Sequence, residues 1–92
     1  TSTQLLFFNL GEAESKAAYT LMQQLRSTGV RCELYPDNVK FDKQFKYADK
    51  KGIPDVVIIG SKELENGTCV VKNLKSGEQK TLPLSEMNTF SV

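Results

Sequence analysis

Two stretches of this chain have no polar side: LLFF, Leu5 to Phe8, and the apolar body of DVVIIG, Asp55 to Gly60. A strand with one solvated face alternates apolar and polar residues. A short run that is apolar at every position instead suits a parallel strand covered by helices on both faces. Whatever lies between these runs must therefore supply helices, and the crossovers that let parallel strands pair.

The intervening sequence does so. NLGEAES reads as a turn into a helix in which Ala18, Leu21, Met22 and Leu25 recur at i, i+3, i+4 and i+7. Glu12 and Glu14 occupy its favourable first turn, and Gly29 is its stop. VRCELY alternates, with Val30, Cys32 and Leu34 on one face and Arg31, Glu33 and Tyr35 on the other, as in an edge strand covered on one face only. From about Val39 to Lys51 helical spacing returns, with Phe41, Phe45 and Ala48 on the apolar side and Gly52 closing the helix. Pro54 then introduces the second apolar strand. Right-handed crossovers place the first strand between the second and third.

Beyond Gly60 the pattern changes. SKELEN reads as a short helical turn, GTCVVKN and EQKTLP as strands joined by a tight LKSG turn, and PLSEM as the start of a last helix capped by Ser85. There are no repeats, linkers or low-complexity segments. With 92 residues and 39% hydrophobic content, residues 1–92 form one domain. Such a domain buries roughly 60 to 70% of the surface its unfolded chain exposes, enough for a single core. The chain enters a strand almost at once with no initiator Met, and reads as a piece excised from a longer protein.

An open sheet of this kind binds ligands beyond the carboxyl ends of its strands, where the strand order reverses. Asn9 to Gly11, Tyr35 to Lys40, and Gly60 with Ser61 share that rim. Catalysis fits it poorly. The chain has no histidine, the commonest general base. It also lacks a GxGxxG or GxxxxGK[ST] phosphate loop. Asp37 and Asp42 form a possible carboxylate pair, but one suits a turn and the other can pair with Lys46. A phosphate-accepting receiver would want Asp where Gly60-Ser61 stands. Cys32 and Cys69 lack the CxxC spacing of a metal or redox pair and read as small buried hydrophobes, at home in a reducing cytosol. No apolar stretch is long enough to span a membrane, and the N-terminus lacks a signal-peptide pattern. No catalytic residue and no metal ligand is assigned.

The charge is informative in its placement. The net charge is +1, yet Lys40 to Lys51 carries five lysines against Asp42 and Asp49, a local +3 that leaves −2 for the remainder. This segment interleaves lysine with aromatic residues. Unpaired RNA bases stack on rings while lysines neutralise the backbone, so Tyr35, Lys40, Lys43, Gln44 and Tyr47 are the residue types that single-stranded RNA needs. The plain alternative is a solvated helix face. Asn9 can pair with a base edge or organise the approach into the first helix. Tyr35 can stack on a base or be an ordinary half-exposed strand tyrosine. Phe41 belongs either to this set or, by its spacing with Phe45 and Ala48, to the core. Glu33 can accept from a guanine edge or pair with Arg31. Lys46, Lys50 and Lys51 read as general surface charge, and Glu63 and Lys72 as local structure.

ELYPDNVKFDKQFKYADKKGIPDVVIIGSKELENGTCVVKNLKSGEQ strongly resembles the C-terminal anticodon-binding domain of histidyl-tRNA synthetases, within the class II aminoacyl-tRNA synthetases. The resemblance runs from near Leu5 to about Leu84. Threonyl, prolyl and glycyl enzymes share the general domain, whereas KYADKKG and KNLKSGEQ look histidyl. It implies an α/β fold, a three-layer αβα arrangement around a five-stranded mixed sheet of order 2-1-3-4-5 with strand 4 antiparallel. It also implies binding to the anticodon loop of the histidine tRNA, splayed over the rim. The RNA-binding set is then Asn9, Tyr35, Lys40, Phe41, Lys43, Gln44 and Tyr47. ATP and Mg belong to a separate catalytic domain of a cytoplasmic, homodimeric parent enzyme. This fragment contains neither that domain nor a cofactor of its own, and reads as a monomer. The alternative is a regulatory or protein-interaction module of the same fold that has lost anticodon reading.

Overall fold

A computed structural model describes residues 3–89 of the chain. Five strands, β1 (Leu5–Phe7), β2 (Cys32–Leu34), β3 (Asp55–Ile58), β4 (Thr68–Asn73) and β5 (Gln79–Pro83), form one sheet of order β2-β1-β3-β4-β5. β1 runs parallel to both neighbours, with Leu5 opposite Cys32 on one side and Asp55 on the other. β4 is antiparallel to β3 and to β5, pairing Val70 with Ile58 and Cys69 with Leu82. The expected mixed α/β sheet and its strand order are therefore observed.

The helices are α1 (Glu12–Ser27), α2 (Phe41–Lys51) and α3 (Ser61–Asn66). α1, α3 and a terminal 3-10 helix (Leu84–Thr89) cover one face of the sheet. There Leu5, Phe7, Val57, Ile59 and Cys69 pack with Leu21, Met22, Leu25 and Met87. α2 covers the other face, where Leu6, Phe8 and Val56 pack with Ala48 and Ile53. Leu5, Leu6, Phe7 and Phe8 are all but fully buried. Burying a leucine or phenylalanine contributes about 2–3 kcal/mol, so this one run anchors both cores. Three glycines end helices at positive φ: Gly29 at +94° and Gly52 at +71°, as the sequence requires, and Gly67 at +69° after α3. The Gly52 N–H closes α2 on the Asp49 carbonyl at 3.1 Å.

Three local expectations change. The last helix is a 3-10 turn starting at Leu84, fixed by its N–H donating to the Gly67 carbonyl at 2.9 Å and by the buried Met87. β2 is not bare on its second face, because Tyr47 of α2 reaches over it to Glu33 and Tyr35. Phe41 is 47% exposed and lies outside the core despite its spacing.

Candidate nucleic-acid interface

The loops at the carboxyl ends of β1 and β2 are joined by two carboxamides. Gln44, in the first turn of α2, has no exposed surface. Its Oε1 accepts from the Asn9 N–H at 2.8 Å, and its Nε2 donates to the Asn9 and Val39 carbonyls at 2.9 Å each. Asn9 extends the bracket: Nδ2 donates to the Tyr35 carbonyl at 3.1 Å, and Oδ1 accepts from Ser15 Oγ at 2.7 Å and the Gly11 N–H at 3.3 Å. Both Nε2 protons of Gln44 are thus used inside the protein. Gln44, expected to present its amide to a base, is corrected to a buried brace. Asn9 organises the turn into α1 and the end of β2, and keeps one Nδ2 proton beyond these bonds.

The cationic part of the rim is separate. Lys40, Asp42, Lys43 and Lys46 are exposed and, with Val39, line a concavity of about 630 Å³ at the start of α2. Lys40 is the N-cap residue, and no side chain caps that end of the helix. The positive end of the helix dipole therefore adds to the lysines' attraction for an anion. Phe41 follows Lys40 in the chain but does not line the concavity; its ring faces the apolar side of α2, with its centroid 5.9 Å from Phe8 and 6.4 Å from Phe45. An exposed ring at the same helix start as these lysines offers a base a stacking face near a cationic surface.

Tyr35 and Tyr47 form an edge-to-face pair with centroids 5.2 Å apart. The Tyr47 hydroxyl donates to Glu33 Oε1 at 2.7 Å, and the Thr3 hydroxyl donates to Glu33 Oε2. The bonds from Thr3 and Tyr47 hold the Glu33 carboxyl below its ordinary pKa, while the bond to Glu33 pushes the Tyr47 phenol up. Tyr47 is thereby committed to β2 on the flank of α2, with Lys51 Nζ 5.8 Å from its ring centroid. Of the expected set, the structure links Asn9, Tyr35 and Gln44 by hydrogen bonds and gathers Lys40, Phe41 and Lys43 at the start of α2. It sets Tyr47 against β2.

Sequence reasoning missed Tyr19. It is 50% exposed on α1 and borders a second cleft, of about 640 Å³, between α1 and the end of β2. The signal was present: Tyr19 sits beside the Ala18, Leu21, Met22, Leu25 stripe and not on it, so burial does not explain it. Glu63 caps locally, its Oε1 accepting from the Gly60 N–H at 2.9 Å. Lys72 Nζ lies 5.2 Å from the Phe45 ring centroid. Among the described residues no three His, Cys, Asp or Glu side chains are placed to hold a metal, and no helix is long and apolar enough to cross a membrane.

Comparison with known proteins places this geometry in a family. A family model described as "Anticodon binding domain" matches residues 4–90. The chain is 41% identical over 85 residues to a histidine–tRNA ligase of Bacteroides fragilis, covering 92% of this chain and 19% of that protein. It is 44% identical over 78 residues to one of Flavobacterium johnsoniae, covering 85% and 16%. Among solved structures, histidyl-tRNA synthetase from Nostoc sp. PCC 7120 superposes with a TM-score of 0.90 at 31% identity, over 97% of this chain and 21% of that one. The chain therefore spans about a fifth of the length of the relatives it matches. With the family pattern running through nearly every residue and the same architecture beneath it, the chain belongs to the anticodon-binding domain family.

Proposed function

We propose that this chain is the anticodon-reading part of a histidine–tRNA ligase and binds the anticodon loop of the histidine tRNA. The observation that carries the reading is the lysine-lined concavity at the start of α2, with the exposed Phe41 at the same end of that helix. Backbone phosphates lie against Lys40 and Lys43, a splayed base stacks on Phe41 or Tyr35, and the spare Nδ2 proton of Asn9 meets a base edge. Gln44 and Tyr47 act from behind, by fixing the loops that carry these groups. The kinship to histidine–tRNA ligases supports the choice of tRNA. Aminoacylation, with ATP and Mg²⁺, belongs to a catalytic domain of the parent protein; this chain has no phosphate loop and no histidine to contribute. We place that parent in the cytoplasm as a homodimer, with this domain itself monomeric.

The test is binding at low salt to an anticodon stem-loop of the histidine tRNA, beside the same hairpin with its anticodon bases exchanged. Tighter binding to the histidine anticodon is expected. Equal binding to both would reduce the rim to a nonspecific cationic patch, and no binding to either would remove the RNA reading.

A further inference from the structure

Each edge of the sheet is a strand with one neighbour, β2 on one side and β5 on the other. An edge strand presents backbone donors and acceptors with which a strand of another chain can pair, and proteins close such edges by several devices. β5 does so by sequence: it carries Lys80 and ends in Pro83, which has no N–H to offer. The three residues of β2, Cys32, Glu33 and Leu34, include neither lysine nor proline.

The edge of β2 is closed from outside the strand. The Leu5 N–H donates to the Arg31 carbonyl at 3.2 Å, and the Tyr35 N–H donates to the Phe7 carbonyl at 3.0 Å. With Leu5 opposite Cys32 and Phe7 opposite Leu34 in a parallel ladder, Arg31, Glu33 and Tyr35 turn their backbone groups to β1, while Cys32 and Leu34 turn theirs to the open side. Arg26, in the last turn of α1, reaches over that side, its Nη2 donating to the Cys32 carbonyl at 3.0 Å. Cys32 is accordingly only 5% exposed although it lies in an edge strand. The acceptor that an incoming strand would use is held by a guanidinium of the same chain.

The strand beneath that guanidinium is complementary to itself. In an antiparallel ladder, residues of a hydrogen-bonded pair exchange both N–H and carbonyl, and a two-fold axis makes the exchange reciprocal. An axis at Cys32 joins Cys32 to its counterpart in a second copy. It also sets Arg31 of each copy opposite Glu33 of the other on one face of the sheet, an opposite-charge pairing made twice. We infer that Arg26 is a guard on the open edge of β2, keeping that edge from pairing antiparallel about Cys32 with a second copy of this chain. The inference is independent of RNA binding, because what the guard sets is whether the domain stays single.

The experiment is sedimentation equilibrium over a range of protein concentration, under reducing conditions, with the 92-residue chain beside Arg26→Ala. Arg26 is exposed, and a thermal melt confirms that its truncation leaves the fold intact. The native chain should stay monomeric, whereas Arg26→Ala should shift toward twice the monomer mass as the concentration is raised. Adding Cys32→Pro removes the outward N–H and, at an edge position, spares the ladder to β1, so the folded double variant should return to a monomer. Hydrogen exchange on Arg26→Ala needs no second substitution: protection of the Cys32 amide should rise with concentration. Four results would each overturn the guard: an Arg26→Ala chain that stays monomeric, association that survives Cys32→Pro, a Cys32 amide whose protection ignores concentration, or a native chain already paired through Cys32.

Discussion

A carboxamide survives without water only when its polar atoms have partners, and Gln44 finds all of them in backbone groups from two other loops. Gln44→Ala leaves the Asn9 N–H and carbonyl and the Val39 carbonyl without it. The expected loss is about 3 kcal/mol, read as a lower urea midpoint; a loss below about 1 kcal/mol would mean that water replaces the brace. Gln44→Glu gives a sharper signature. A carboxylate still accepts from Asn9 but donates to neither carbonyl, so this variant should gain stability relative to the native chain as the pH is lowered and the group protonates. Glu33 behaves in the opposite way. Hydrogen bonds from Thr3 and Tyr47 lower its folded pKa below the ordinary 4.5, so its contribution is present above that value and disappears as pH falls through the folded one. Tyr47→Phe removes one of the two donors. Urea midpoints taken from about pH 6 to about pH 3 should therefore fall less steeply in that variant, and parallel curves would show that the Tyr47 bond contributes nothing in solution.

Among the elements, α2 shows best what a sequence discloses. Its existence followed from spacing and from Gly52, and the local +3 charge marked its solvent face. The exposure of Phe41 was not legible, because spacing assigns a residue to a side of a helix without saying how far the sheet beneath extends. Phe8, against which Phe41 leans, already lies past the last paired residue of β1. The first turn of α2 thus overhangs the sheet. Gln44 was hidden for a related reason: a polar residue on an inward face reads as surface until its partners are known, and Asn9 is 35 positions away in the chain. The lysines at this overhang should act through phosphate. If two or three of them contact the backbone, log affinity should fall against log salt with a slope of roughly −1.4 to −2.1. Lys40→Ala and Lys43→Ala should each make the slope shallower by about 0.7, with little change in preference among anticodon bases. Unchanged slopes would move the phosphate path off α2.

At the scale of the whole molecule the order of the first three strands was readable because the two fully apolar runs suit central strands and the alternating VRCELY an edge, whereas the places of β4 and β5 came only from the family resemblance. The coverage of β2 by Tyr47 was not readable, since it depends on how α2 crosses the sheet. That arrangement places the two thiols unequally. Cys69 lies in β4 between two hydrogen-bonded neighbours, is wholly buried, and has its pKa pushed by burial to about 11. Cys32 lies in the edge strand β2, paired on one side only; burial raises its pKa while the Arg26 charge pulls the other way. A strand paired on one side can detach without breaking the sheet, whereas an interior strand opens only when the domain does. In native buffer a thiol reagent should modify Cys32 first, at a rate insensitive to small amounts of urea. Cys69 should react only as fast as global unfolding permits, with a urea dependence matching that of the equilibrium transition. Single-cysteine variants, each with the other thiol replaced by alanine, separate the two rates. Equal rates with equal urea dependence would show that β2 opens only with the whole domain, and that Tyr47 and Glu33 hold the edge as firmly as the ladder holds the centre.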